Sequence, residues 1–301
     1  MLASSRSRLA SATVLAFGLS LCVSQARAYC RTTTCDAQAS NSPACKLDAD
    51  GCASQGIPLY WPARCIPLGV NGAGSEILGV SAAEANALVS RAASRWMQVD
   101  CQGRAPSLKF ADQGIVACDR VEFNPEGPNA NVVVFRDDVW AHDALALAST
   151  TLTFDVETGE IRGVDIEVNS RLVSTEGLEG DLETILTHEL GHALGLAHSS
   201  VPGALMNAEY AMTASAVAAA VTGDDANAVC AVYPPGHAAE CAPAKSFDSR
   251  CGGSVEGSCA SVPTRAGTRV RCPGALLGAL LCVALLVRRR RRAHLHANIS
   301  S

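Results

Sequence analysis

Apolar and polar positions alternate most regularly at Val164, Ile166 and Val168, which are interleaved with Asp165, Glu167 and Asn169. A period of two predicts a half-buried strand over 161–169. With a second extended stretch at 144–154 and the Glu157-Thr158-Gly159-Glu160 turn between them, the pattern predicts a hairpin. Upstream the period changes. Ala85, Leu88, Val89, Ala92 and Trp96 fall on one helical stripe within Ser81–Met97. Ser81 and Glu84 have the spacing of a capping box at its start. Residues 57–70, Leu108–Phe110 and Asn131–Phe135 are short strand candidates. A second helix is expected from Asp181, a good N-cap residue, to about Leu194. A last one is expected from Asp224-Asp225 to near Tyr233, where Pro234-Pro235 stops it. This succession of strands and helices predicts an α+β domain over residues 57–235.

Both ends of the 301-residue chain depart from that pattern. Arg6 and Arg8, the apolar stretch Leu9–Val23 and Ala26-Arg27-Ala28 make a signal peptide over 1–28, with the mature chain starting at Tyr29. Residues 272–301 hold a second apolar run, Pro273–Val287, and then Arg288–Arg292. That run is short for a bilayer core of ~30 Å, and the arginines would keep the end cytoplasmic. A short span after Cys-Pro-Gly, closed by an arginine block, resembles the MYXO-CTERM sorting tails of myxobacterial surface proteins. A simple tail anchor is the alternative. Either way, contact with a membrane is expected only through this tail.

Removing the ends changes the charge. The whole chain has 24 basic and 29 acidic residues. Eight of the basic ones lie in the two ends, so the rest is strongly acidic. That argues against nucleic-acid partners, which need a basic footprint. The 14 cysteines agree with export. Residues 29–56 form a polar lead-in with four of them, and 236–271 read as a Cys-containing linker. In an oxidising compartment such cysteines pair, and the sequence leaves their connectivity open. Cys65, in Pro62-Ala63-Arg64-Cys65, is expected to pair with Cys101 or Cys118. Asp48-Ala49-Asp50-Gly51 reads as a turn, and His142-Asp143 as a solvated pair. His237, His294 and His296 have no partners at ligand spacing and are expected to be solvated.

The chemistry concentrates in His188-Glu189-Leu190-Gly191-His192-Ala193-Leu194-Gly195-Leu196-Ala197-His198. Residues i and i+4 of a helix share a face, so His188 and His192 can bind one ion. Gly195 can adopt a left-handed conformation, end the helix and bring His198 back as a third ligand. Three imidazoles leave a fourth position open, the pattern of a catalytic zinc site. Glu189 lies where it can act on a zinc-activated water as general base.

Extended in this way, the motif resembles the matrixin branch of the metzincin zinc metallopeptidases. Ser199 follows the third histidine, Ala204-Leu205-Met206 matches the family's Met-turn, and Tyr210 falls four residues after Met206. Asp224–Val229 with Tyr233 is similar to the family's final helix. The resemblance implies the metzincin fold: a twisted mixed sheet, an active-site helix and a small C-terminal subdomain. It implies one catalytic zinc and protein or peptide substrates; the signal stretch, tail and cysteines point to the cell surface (outer membrane) or the medium, and a monomer is expected. An edge strand within 144–154 would bind extended peptide by main-chain pairing. Thr184, four residues before His188, and Tyr210 would line the pocket for the residue after the scissile bond. Asn207-Ala208 replaces the family's aromatic-Pro before that tyrosine. Calcium is common in the family, and no site for it can be assigned here. The rival reading is an adhesion or scaffold module that keeps the fold without cleaving. The presence of Glu189 argues for cleavage.

Overall fold

The computed structural model describes residues 29–35, 45–124, 129–176, 181–208, 220–236, 241, 251 and 294–300. The signal stretch, the apolar tail run with its arginines, most of the linker, His237 and Tyr210 lie outside them. Among the described residues no helix is long and apolar enough to cross a membrane.

The elements run β1 (Cys65–Asn71), α1 (Ala82–Met97), β2 (Lys109–Val116), β3 (Val132–Arg136), β4 (Ala148–Asp155), β5 (Ile161–Asn169), α2 (Ser170–Thr175), α3 (Leu182–Ala193), α4 (Gly223–Val232) and β6 (His294–Ser300). They form one mixed sheet in the order β2-β1-β3-β5-β4-β6. The first four strands of that order are parallel, and β4 and β6 are antiparallel to their neighbours. The expected hairpin is β4–β5, with Gly159 in its turn at φ +74°. A six-stranded mixed sheet with helices is the α+β architecture expected of a metzincin.

α1 begins where the capping box predicts. Ser81 Oγ accepts from the Glu84 amide, and the Glu84 carboxylate accepts from the Ser81 amide. Its apolar stripe, Ala85, Val89, Ala92 and Trp96, is buried with the central strands and α3 in one core. Two links fix α1 against α3: the Arg91 and Arg95 guanidinium groups pair with Glu183 at 2.7 and 2.6 Å, and Trp96 Nε1 donates to Thr187 O at 2.8 Å.

Several expectations need correction. The first strand starts only at Cys65, because residues 57–64 make isolated bridges with Thr33 and Glu160 rather than a ladder. Asp181 sits at the N-cap of α3 without making a side-chain cap bond. Cys65 is disulfide-bonded, but to Cys241, while Cys101 pairs with Cys230 and Cys118 with Cys251. The lead-in is closed by Cys30–Cys52 and Cys35–Cys45. Disulfides of this kind belong to oxidising compartments. His142 is not a solvated residue: its Nε2 lies 2.6 Å from the Glu167 carboxylate, which Arg136 also holds. β4 is not the outermost strand, because β6 pairs along it from Ser149↔Ser300 to Asp155↔His294. The backbone of His294 and His296 lies in this strand, and their side chains fall outside the described residues. Asp165 and Glu167 alternate with the core residues as predicted, yet both are buried under the loop around Glu122 and by His142. The Asp48 turn is as expected, its carboxylate accepting from the Asp50 and Cys52 amides.

Candidate metal centre

The centre is built on the last two turns of α3 and on what ends that helix. Leu194 is the C-cap, and Gly195 follows at φ +84°. The Gly195 amide donates to His192 O at 2.8 Å and the Leu196 amide to Gly191 O at 3.2 Å. This pair of bonds is a Schellman motif, which needs a residue free to adopt positive φ. Gly195 meets a second demand too: a Cβ there would lie 2.6 Å from Leu59 O. The last helical carbonyls find buried donors. Trp61 Nε1 donates to Ala193 O at 2.7 Å, and Tyr233 Oη donates to Leu194 O at 3.0 Å. The sharp turn therefore has its polar groups satisfied, as a buried helix end requires.

That turn brings His198 back against α3. His188 Nε2 and His192 Nε2 are 3.1 Å apart, and His192 Nε2 and His198 Nε2 are 3.2 Å apart. His188 and His192 are buried, and His198 is half-buried. Burial pushes all three imidazoles below their ordinary pKa, His188 to about 4, so the rings are neutral at physiological pH. The tautomers of the two helical histidines follow from their partners. His188 Nδ1 lies 2.6 Å from Leu205 O and His192 Nδ1 lies 2.9 Å from Leu196 O. A carbonyl only accepts, so in both rings Nδ1 carries the proton and Nε2 a lone pair.

Lone pairs this close repel one another unless a cation sits between them. A tetrahedral zinc with Zn–N bonds of ~2.0–2.1 Å sets its ligand nitrogens roughly 3.3 Å apart, close to the separations here. Carbonyl acceptors on Nδ1 are the usual outer support of zinc-bound histidine. The donor set fits zinc on both counts.

Glu189, next to His188 in α3, is fully buried, and Thr150 Oγ1 of β4 donates to its Oε2 at 2.5 Å. Beneath the histidines the Met-turn is held by one carboxylate. Asp225 of α4 accepts from the Leu205 amide at 2.9 Å and from the Met206 amide at 3.0 Å. Thr222 fixes the same carboxylate at the start of α4. Ser199 connects the two ends of the loop, its amide donating to Met206 O and its hydroxyl to Asp224. Met206 packs its sulfur beneath Gly191. Thr184 lies buried in the first turn of α3.

The structure thus brings together His188, His192 and His198, with Met206 packed against Gly191 and Glu189 buried next to His188 in α3. The sequence motif did not reveal Thr150, Asp225 or the carbonyls of Leu196 and Leu205. Asp225 had a partial signal in the Asp224-Asp225 pair. Thr150 had none, because a threonine in an extended stretch is ordinary.

A family model described as matrixin matches residues 80–234. The match takes in α1, the whole sheet except β1 and β6, the three histidines and α4. No curated protein matches the chain.

Proposed function

The chain belongs to the matrixin family and is a zinc metalloendopeptidase, and from that premise we propose that it is an exported enzyme whose zinc is held by His188, His192 and His198, with Glu189 as general base. The observation that carries this reading is the convergence of three neutral imidazole nitrogens beside a buried carboxylate. When bound, zinc supplies a Lewis acid that acidifies water and polarises the scissile carbonyl. Glu189 takes the water's proton and returns it to the leaving amine. Thr150 orients the carboxylate for that transfer. Leu205 O and Leu196 O hold the rings of His188 and His192 in the ligating tautomer. Met206 forms the floor.

Substrate would lie extended and antiparallel along the outer edge of β4, pairing through the main chain. Support comes from β6, which takes that edge in the same sense over seven residue pairs. Thr184 and Tyr210 would line the pocket for the residue after the scissile bond. Residues 1–28 direct export, and 272–301 serve as a sorting tail. Removing the tail would also take β6 away and open the β4 edge. Intact mass of the exported protein tests this, and retention of residues 288–301 would count against it.

The decisive experiment compares the unaltered protein with Glu189→Gln on denatured protein, with and without chelator. The unaltered protein should cleave only with metal. Glu189→Gln should retain zinc and lose turnover by about 10²–10⁴-fold, the contribution of a positioned general base. Loss of zinc from Glu189→Gln would contradict the assignment. An inactive parent with zinc bound would favour a non-cleaving scaffold.

A further inference from the structure

The lead-in Cys30–Arg31–Thr32 lies directly against the turn that carries the chain from α3 to His198. Arg31 and Leu196 form an antiparallel bridge. The Thr32 amide donates to Gly195 O at 3.0 Å, and the Ala197 amide donates back to Cys30 O at 3.1 Å. Arg31 reaches across this bridge: Nε donates to Gly195 O at 3.3 Å, and the far end of the guanidinium donates to Leu59 O. The Leu59 amide donates to Thr32 O at 2.8 Å, so the lead-in lies between the turn and the segment before β1. Cys30 is buried and is tied to Cys52.

Two contacts link the lead-in to the metal site. Thr32 Oγ1 donates to Leu196 O at 3.1 Å, and this same carbonyl accepts from His192 Nδ1 at 2.9 Å. The hydroxyl and the imidazole N–H thus share one oxygen. One residue further, the Ala197 amide held by Cys30 O directly precedes His198. The lead-in therefore supports two histidines by separate routes, His192 through the Leu196 carbonyl and His198 through the backbone beside it.

We propose that Cys30, Arg31 and Thr32, locked by the Cys30–Cys52 disulfide, are positioning residues that set zinc affinity by holding the Leu196 carbonyl and the approach to His198. Gly195 gives the turn its shape, but a glycine hinge is the most permissive residue in the chain and does not hold a shape by itself. The bridge to the lead-in supplies the missing restraint. Groups that orient a ligating histidine through its second nitrogen act on metal affinity rather than on global stability alone. The lead-in precedes the stretch matched by the matrixin model, so this support lies outside it.

The proposal rests on the zinc assignment above, and the test separates the two. Zinc affinity is measured by chelator competition on Thr32→Val, Thr32→Ser, Cys30→Ser with Cys52→Ser, and His192→Ala. Melting of each metal-free protein is recorded alongside. Thr32→Val keeps the branched shape and removes the hydroxyl. It should weaken zinc about three- to tenfold and leave the metal-free melt unchanged, while Thr32→Ser restores affinity. Support for a ligating histidine is typically worth about 10–100-fold in metal affinity, and the double serine variant should lose that much. If that variant fails to fold, the Thr32 pair carries the test alone. Affinity unchanged in Thr32→Val, with His192→Ala losing zinc, overturns the positioning role by itself. Zinc retained by His192→Ala overturns the ligand assignment and the proposal with it.

Discussion

Gly191 faces the sulfur of Met206 with no space between them for a methyl group. A Cβ there would overlap the sulfur and lie 2.8 Å from Trp96 Cζ2. Gly191→Ala should therefore destabilise the protein by about 1–3 kcal/mol through overpacking, although alanine favours helix by up to ~1 kcal/mol over glycine. The Met-turn also carries the Leu205 carbonyl that orients His188, so zinc affinity should fall as well. Equilibrium unfolding and chelator competition measure the two effects. A stabilised variant with unchanged zinc affinity would show that the contact is loose.

Thr150 Oγ1 of β4 donates to the carboxylate of Glu189, the proposed base. Thr150→Val keeps the β-branched shape and removes the hydroxyl. A hydrogen bond to a charged group is worth about 1.5–3 kcal/mol, so kcat should fall roughly tenfold to a hundredfold with zinc still bound. Steady-state kinetics with metal analysis on the same preparation checks this. An unchanged kcat would mean that the carboxylate is oriented by other groups.

The pocket proposed above, with Thr184 and Tyr210 in its lining, should prefer large apolar residues after the scissile bond. Thr184 is short, and burying Leu, Met or Phe yields about 1.5–3 kcal/mol each. In a peptide series varied only at that position, Leu should exceed Ala by roughly tenfold to a hundredfold in kcat/KM. Thr184→Arg should remove the preference by filling the pocket. Equal cleavage of Ala and Leu peptides would reject the deep pocket.

Asp165 gives a pH signature. Burial raises its carboxyl to about 8 from an ordinary 3.8, and the nearby Glu167 and Glu122 add to the rise, against amide bonds from Val132 and Glu122. Between those two values the folded chain holds a proton that the unfolded chain has released. Its stabilising contribution is full below about 4 and is lost as pH rises through about 8. The melting-temperature difference between the parent and Asp165→Asn should therefore shrink as pH is raised from 5 to 9. The comparison cancels the histidines common to both proteins. A difference that grows with pH would reverse the assignment.

The parts of this fold legible in sequence are those encoded over a few neighbouring residues. The Ser81–Glu84 box, the alternation in β5 and the spacing from His188 to His198 each fit within one or two turns or strands. Local geometry alone brings those side chains together. Cys65 met Cys241 rather than a nearer cysteine because the pairing depends on where the chain returns after α4, and no local pattern encodes that. Asp165 and Glu167 occupy the face expected from their period. Their burial comes from a distant loop and from His142 laid over that face. The lead-in was the least legible: a polar, cysteine-bearing stretch has no periodicity, and its importance depends on what it touches.

Cys65–Cys241, Cys101–Cys230 and Cys118–Cys251 all join the first half of the domain to its C-terminal side. A protease is exposed to cleavage of its own surface loops, by itself and by others. One cut anywhere between Cys118 and Cys230 leaves every one of these three cross-links spanning the break. The two fragments stay a single covalent object, with the strands on one side still clamped to α4 on the other. For this molecule, then, a severed backbone and a lost domain are separate events, and the second requires a reductant as well as a cut.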